Sequence, residues 1–320
     1  MSDDSAASTR TGFLLGTFAY LWWGMVPLFF AALKVRDVGA VEILAHRIVW
    51  SLPVMLILTA LTVGWKPVRD VFRSKKLLLL MFSSALLLGV NWLLYIYATT
   101  QGKVTEAALG YFMLPLANAF LGTMFLGEKL RPAHYPALGL IALGFAVPVF
   151  AAGELTWIAL ALPITFGLYG FVRKAIPVDA LGGLTVESLM MLPFALAGLV
   201  YFAATGQGHY GPDWTLNGLL MFSGIVTVAP LLTYVMALRR LPLIAISFLQ
   251  FLSPTTQMLI ALYFLGETPP AHVWYAYACV WVAVAVFLAD AAWQYFATRQ
   301  RIRVVERPAV GVPILVPATR

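Results

Sequence analysis

Tyr111, Pro115 and Asn118 are spaced i, i+4, i+7, and Gln250, Pro254 and Gln257 repeat that spacing. On a helix this puts each trio on one face. Each proline removes a backbone N–H and frees the carbonyl one turn earlier. The two polar stripes could therefore hydrogen-bond a small semi-polar molecule. Equally, they could serve contacts between helices, which bring about 0.6 kcal/mol each in a membrane, and the residues alone leave both readings open. Asn91 and Tyr95 form a weaker pair at i, i+4, with Pro230 and Tyr234 at the corresponding places of a later segment, and Tyr169 adds another hydroxyl. Pro115, Pro230 and Pro254 are expected helix breaks or hinges. Trp22 and Trp23, ahead of Pro27, read as interfacial or packing aromatics.

Glu42, His46 and Arg47 form a second constellation, with Glu42 and His46 at i, i+4. Ionisable groups inside a membrane are costly and point to function. A gate, a counter-ion for an anionic solute group and a proton relay through His46 are all open. So is a plainer account, with Arg47 snorkelling and Glu42 favoured by a helix N-terminus. Glu187 fits the same dipole account, and Arg173 and Lys174 read as end anchors.

The elements that must hold these residues follow from composition. The 320-residue chain is 61% hydrophobic and 11% charged, with a mean hydropathy of +0.86. Soluble domains run about 45–50% apolar and about 25% charged, so a water-soluble enzyme, a disordered chain and a nucleic-acid-binding domain are excluded. Cys279 is the single cysteine, and His46, His134, His209 and His272 lack metal-ligand spacing. No cofactor is expected. Apolar runs of about bilayer-spanning length give ten expected helices, over 12–33, 42–63, 77–98, 104–126, 133–152, 155–176, 184–205, 216–238, 242–265 and 271–291. The leader carries Asp3 and Asp4 against Arg10, unlike a cleaved signal peptide. With the N-terminus inside, 17 of the 21 lysines and arginines fall on the cytoplasmic side, so both termini are expected there.

The sequence repeats. Phe112-x-x-Pro115 and Phe125-Leu126-Gly127-Glu128 recur as Phe251-x-x-Pro254 and Phe264-Leu265-Gly266-Glu267, an offset of 139 residues. Glycine suits a helix stop, so both Leu-Gly-Glu motifs read as structural turns. Five helices per copy is odd, which makes the second copy inverted, an architecture of secondary transporters with a midplane site between repeats. The domains expected are a leader at 1–11, a first repeat at 12–152, a second at 153–291 and a poorly ordered cytoplasmic tail at 292–320.

At several stretches the chain resembles RarD-type permeases of the EamA family in the drug/metabolite transporter superfamily. They are Glu42-Ile43-Leu44-Ala45-His46-Arg47, Asn91-Trp92-Leu93-Leu94-Tyr95, Gly110-Tyr111-Phe112, the Leu-Gly-Glu pair, Val228-Ala229-Pro230-Leu231-Leu232 and Phe248-Leu249-Gln250-Phe251. The resemblance implies a bacterial inner-membrane permease for amino acids, metabolites or drugs, with a cavity lined by spans one, three, four, six, eight and nine. Gly12–Leu33 holds no acid, unlike the small multidrug relatives that couple protons through a helix-one glutamate. The expected partners are a small-molecule solute and the lipid bilayer, with no nucleic acid, and the chain is expected to act as a monomer or homodimer. A membrane-embedded enzyme and a sensor are the competing classes. Every loop is under about fifteen residues, which leaves little room for catalytic groups.

Overall fold

The computed structural model describes residues 3–34, 36–101, 107, 110–111, 113–152, 157–211, 213–264 and 271–305. Among the described residues twelve helices are α1 Asp3–Lys34, α2 Ala40–Leu61, α3 Lys66–Arg73, α4 Lys75–Thr100, α5 Leu114–Phe125, α6 His134–Ala152, α7 Trp157–Ala175, α8 Ala180–Ala204, α9 Trp214–Leu238, α10 Leu243–Leu249, α11 Leu252–Phe264 and α12 Ala271–Val305. Helices prevail because lipid offers backbone groups no partner outside their own segment. Among the described residues seven apolar stretches are long enough to cross a membrane, and three shorter ones lie at Leu114–Phe125, His134–Val147 and Trp274–Asp290. The start of the fourth expected span, the Gly266-Glu267 turn and the tail beyond 305 lie outside the described residues.

Burial follows membrane rather than aqueous logic. Phe150, Phe194 and Val200 are exposed while Asn91, Asn118 and Glu187 are buried, so the apolar surface faces outward and the polar groups face protein. Helix bounds recur at the sequence offset. Shifting Lys75–Thr100 by 139 residues lands on 214–239 against the observed Trp214–Leu238, and shifting Leu114–Phe125 lands on 253–264 against Leu252–Phe264.

Four expectations are corrected. The ninth span is two helices with a turn at Gln250 and Phe251, because Pro254 cannot donate to the Gln250 carbonyl, which accepts instead from the Ser253 N–H at 2.9 Å. Conversely, α9 runs unbroken through Pro230, so no break lies there, and the nearby Thr233 hydroxyl donates to the Ala229 and Pro230 carbonyls at 3.0 Å. The basic loop after α2 contains α3, whose Val68 and Val71 pack on Met81, Ile176 and Val186. Finally, α1 takes in the leader from Asp3 and α12 carries 14 residues of the expected tail, to Val305.

α2 and α8 run antiparallel. Thr59 near the end of α2 meets Thr185 near the start of α8 at 2.7 Å, and Glu42 at the start of α2 meets His209 just past the end of α8 at 2.7 Å. α9 packs closely on α2, where a Cβ at Gly224 would collide with the Trp50 carbonyl. Such small-residue approaches are how membrane helices gain dispersion contact.

Candidate functional site

The two helix interruptions meet. Pro115 lies in the first turn of α5, and the carbonyl it leaves without an i+4 donor is that of Tyr111. The Gln250 side-chain amide, at the other interruption, donates to that carbonyl at 3.3 Å. Beside this joint lies a cavity of about 80 Å³. α1 contributes Tyr20, Trp23, Val26 and Phe30, α2 contributes Arg47, α4 contributes Asn91, Trp92 and Tyr95, and α7 contributes Phe166. Tyr111, Gln250, Ser253, Pro254 and Gln257 complete the wall.

Its polar groups are held in place by neighbours. Asn91 donates to the Leu162 carbonyl at 3.0 Å and to Thr165 Oγ1 at 2.9 Å. Gln257 donates to Ser253 Oγ at 3.1 Å. Arg47 Nε donates to Thr227 Oγ1 at 2.9 Å, while its guanidinium lies 4.8 Å from the Trp92 ring centre and 5.8 Å from that of Phe30. Most of the rest is aromatic. Tyr95 and Tyr111 are 5.9 Å apart, and Trp23 stands edge-on to Phe166 at 5.9 Å.

Of the residues singled out in the sequence, Asn91, Tyr95, Tyr111, Gln250, Pro254, Gln257 and Arg47 line this cavity. Tyr169 and Tyr234 do not. They stack behind Phe166, at 5.9 and 5.2 Å. Asn118 turns away and donates to Ser247 on α10 at 2.7 Å, so it joins two helices where its counterpart Gln257 faces the cavity. The resemblance implied a contribution from the eighth span, here α9. α2 takes that place through Arg47.

The helix-two constellation splits. Glu42 accepts from the His209 backbone N–H and pairs with its Nδ1, both at 2.7 Å. Tyr210 stacks on His46 at 5.3 Å, and Asn217 clamps Gly211 through both backbone groups. These contacts strap the α8–α9 loop over the start of α2. Arg47 alone faces inward.

Arg173 and Glu187 are not exposed end groups. Both are at most 2% exposed, with Arg173 Nε 3.5 Å from Glu187 Oε1, and Ser84 donates to the same oxygen. Nor is Lys174 a free anchor. It donates to the Leu238 and Leu241 carbonyls and lies 3.6 Å from Glu128. Glu128 in turn accepts from the Leu243 N–H at 2.9 Å, closing the start of α10, and Gly127 takes φ +66° at the preceding turn.

Sequence reading missed Trp23, Phe166, Tyr20 and Phe30. Tyr20, Trp23 and Phe30 do share a helical face, three and then seven residues apart. An aromatic stripe on an apolar helix carries no mark that separates a cavity wall from lipid contact.

Residues 10–150 match the EamA-like transporter family. Protein RarD of Salmonella typhi is 41% identical over 287 residues, 89% of this chain and 97% of that protein. The chain belongs to the RarD-type permeases of the EamA family. A protein of Vibrio cholerae serotype O1, named an uncharacterized transporter, is 38% identical over 88% of this chain and 93% of its own. A crystal structure of another protein superposes with a TM-score of 0.64 at 19% identity, covering 86% of this chain and 96% of that one. At that identity it speaks for the fold alone. The chain is therefore a multi-pass membrane transporter of the drug/metabolite superfamily.

Proposed function

We propose that the protein is a bacterial inner-membrane permease that moves small organic solutes, in the class of amino acids, metabolites or drugs, by alternating access of two inverted five-helix halves. The observation that carries this reading is the cavity between the two helix interruptions, walled by residues of both sequence repeats. Discontinuous helices at a repeat interface are where such transporters hold their solutes.

Ten spans are supported by the seven long stretches and the three shorter ones at the remaining expected places. Inversion is supported by the antiparallel run of α2 and α8, which are counterparts under the repeat. The cytoplasmic placement of both termini rests on the distribution of lysine and arginine. Alternating access needs two closures. The Glu42–His209 strap and the Arg173–Glu187 pair lie toward opposite ends of the α2–α8 contact, on the order of 20 Å apart at 1.5 Å per helical residue.

Solute flux in proteoliposomes, with and without an imposed pH gradient, tests the reading. Saturable flux above protein-free vesicles is expected. Flux no greater than in protein-free vesicles contradicts it.

A further inference from the structure

Arg47 is the eighth residue of α2 and 6% exposed. Among the described residues no carboxylate comes within ion-pair distance of it, and Glu42, five residues back on α2, is taken by His209. A guanidinium carries five N–H donors in a planar fork. Here Nε–H is used by Thr227, and the four on the Nη atoms have no protein acceptor among the described residues. Thr227 spends its own hydrogen on the Ser223 carbonyl at 2.8 Å, so its lone pair is left to fix the Nε side of the fork. Trp92 and Phe30 back the guanidinium with their rings.

A buried cation without a counter-charge is expensive. In the wall of a solute cavity, the missing charge can arrive with the solute. A carboxylate matches the fork with two parallel bonds. One guanidinium neutralises one negative charge, so a dianion would leave a surplus in apolar surroundings. Among the described residues the lining holds no carboxylate that could receive an ammonium. The same wall carries the aromatic rings of Trp23, Tyr95, Tyr111 and Phe166.

We propose that the solute is an organic monoanion, whose carboxylate docks on Arg47 while a planar apolar body lies among those four rings. This rests on the same cavity being the transport site, and it adds the charge and shape of the solute.

Equilibrium binding to the purified full chain tests it, with benzoate, benzyl alcohol, benzylamine and phenylalanine as probes. Benzoate is expected to bind about tenfold or more tightly than the neutral, cationic and zwitterionic probes, the worth of a charge-assisted pair. Arg47→Gln should lose that preference while its thermal unfolding stays at or above that of the wild type, since an uncompensated charge is removed. Arg47→Lys keeps the charge without the fork and should bind benzoate between the two. Thr227→Val frees the fork and should weaken benzoate without changing benzyl alcohol. No benzoate binding, equal binding of any other probe, or undiminished benzoate preference in Arg47→Gln overturns the proposal. Should Arg47→Gln fail to fold, Arg47→Lys and Thr227→Val still decide, because benzoate binding equal to wild type in both counts against it. Benzoate that binds but is not moved across proteoliposomes refutes transport and leaves the binding proposal standing. Saturable flux of benzyl alcohol that is indifferent to Arg47 refutes the proposal and leaves transport standing.

Discussion

The side chain of Gln250 donates to the main-chain carbonyl of Tyr111 at 3.3 Å, and the two residues are separated by the repeat offset of 139. Each is thus the other's counterpart, and one repairs the hydrogen bond that the other's proline removed. The contact joins the two helix interruptions at the wall of the cavity. A change at either interruption should therefore be felt at the other.

Gln250→Ala should therefore cost more than an ordinary interhelical bond. A typical one in a membrane brings about 0.6 kcal/mol, whereas a carbonyl left without a donor costs up to about 1–3 kcal/mol when buried, and that of Tyr111 is partly buried. Pro115→Ala restores a backbone donor for Tyr111, so in that background Gln250→Ala should cost close to nothing. Thermal unfolding of the two single variants and the double variant measures this coupling. Additive losses would separate the two residues.

The Arg173–Glu187 pair predicts a different pattern. Glu187→Gln or Arg173→Met leaves one partner buried, which costs about 3–5 kcal/mol. The double variant Arg173→Met/Glu187→Leu removes both charges and should be more stable than either single one. Denaturation in detergent compares the three.

Gly224→Ala should disturb the cavity from outside it. The added methyl group would press on the Trp50 carbonyl and part α2 from α9, three residues along from both Arg47 and Thr227. Their hydrogen bond should then loosen, lowering both stability and solute binding. Gly139→Ala, where an added methyl meets nothing within 4 Å, should change neither.

Asp213 offers a pH reading outside the membrane. It caps α9 by accepting from Leu216 and Thr215, and it pairs with Arg36 at 3.3 Å. The bond from the Leu216 N–H, followed by Arg36 and the Thr215 N–H, holds its carboxyl below the usual aspartate value. A lowered folded-state value means that the cap's contribution is full above the unfolded-state value and fades as pH falls through the folded one. Protection of the first-turn amides of α9, taken relative to the intrinsic exchange rate at each pH, should fall in acid in the wild type. In Asp213→Ala that protection should already be low at neutral pH.

Much of this was legible in the chain and some was not, for physical reasons. The helices show because lipid forces long apolar runs, and the repeat shows because Phe-x-x-Pro and Leu-Gly-Glu recur at a fixed spacing. Gln250 and Gln257 could be marked because polar groups in an apolar run are rare. Asn118, equally rare, serves α5–α10 contact instead, and no spacing rule separates the two uses. Arg173 and Glu187 looked like helix-end charges because their pairing depends on how α7 meets α8. Pro230 looked like Pro115 and Pro254, yet α9 continues through it. A proline costs one backbone bond, and whether the helix breaks there depends on what else the freed carbonyl can reach.

As a transport path, this cavity must open to both sides of the membrane in turn. Ser253→Cys, a near-isosteric change in the cavity wall, in a Cys279→Ser background, places a single thiol there. Labelling by a membrane-impermeant thiol reagent in sealed right-side-out and inverted vesicles then measures access directly. The thiol should react from both sides, and a transported solute should slow both reactions. A thiol that reacts from one side only, in protein that still moves solute, would contradict the account.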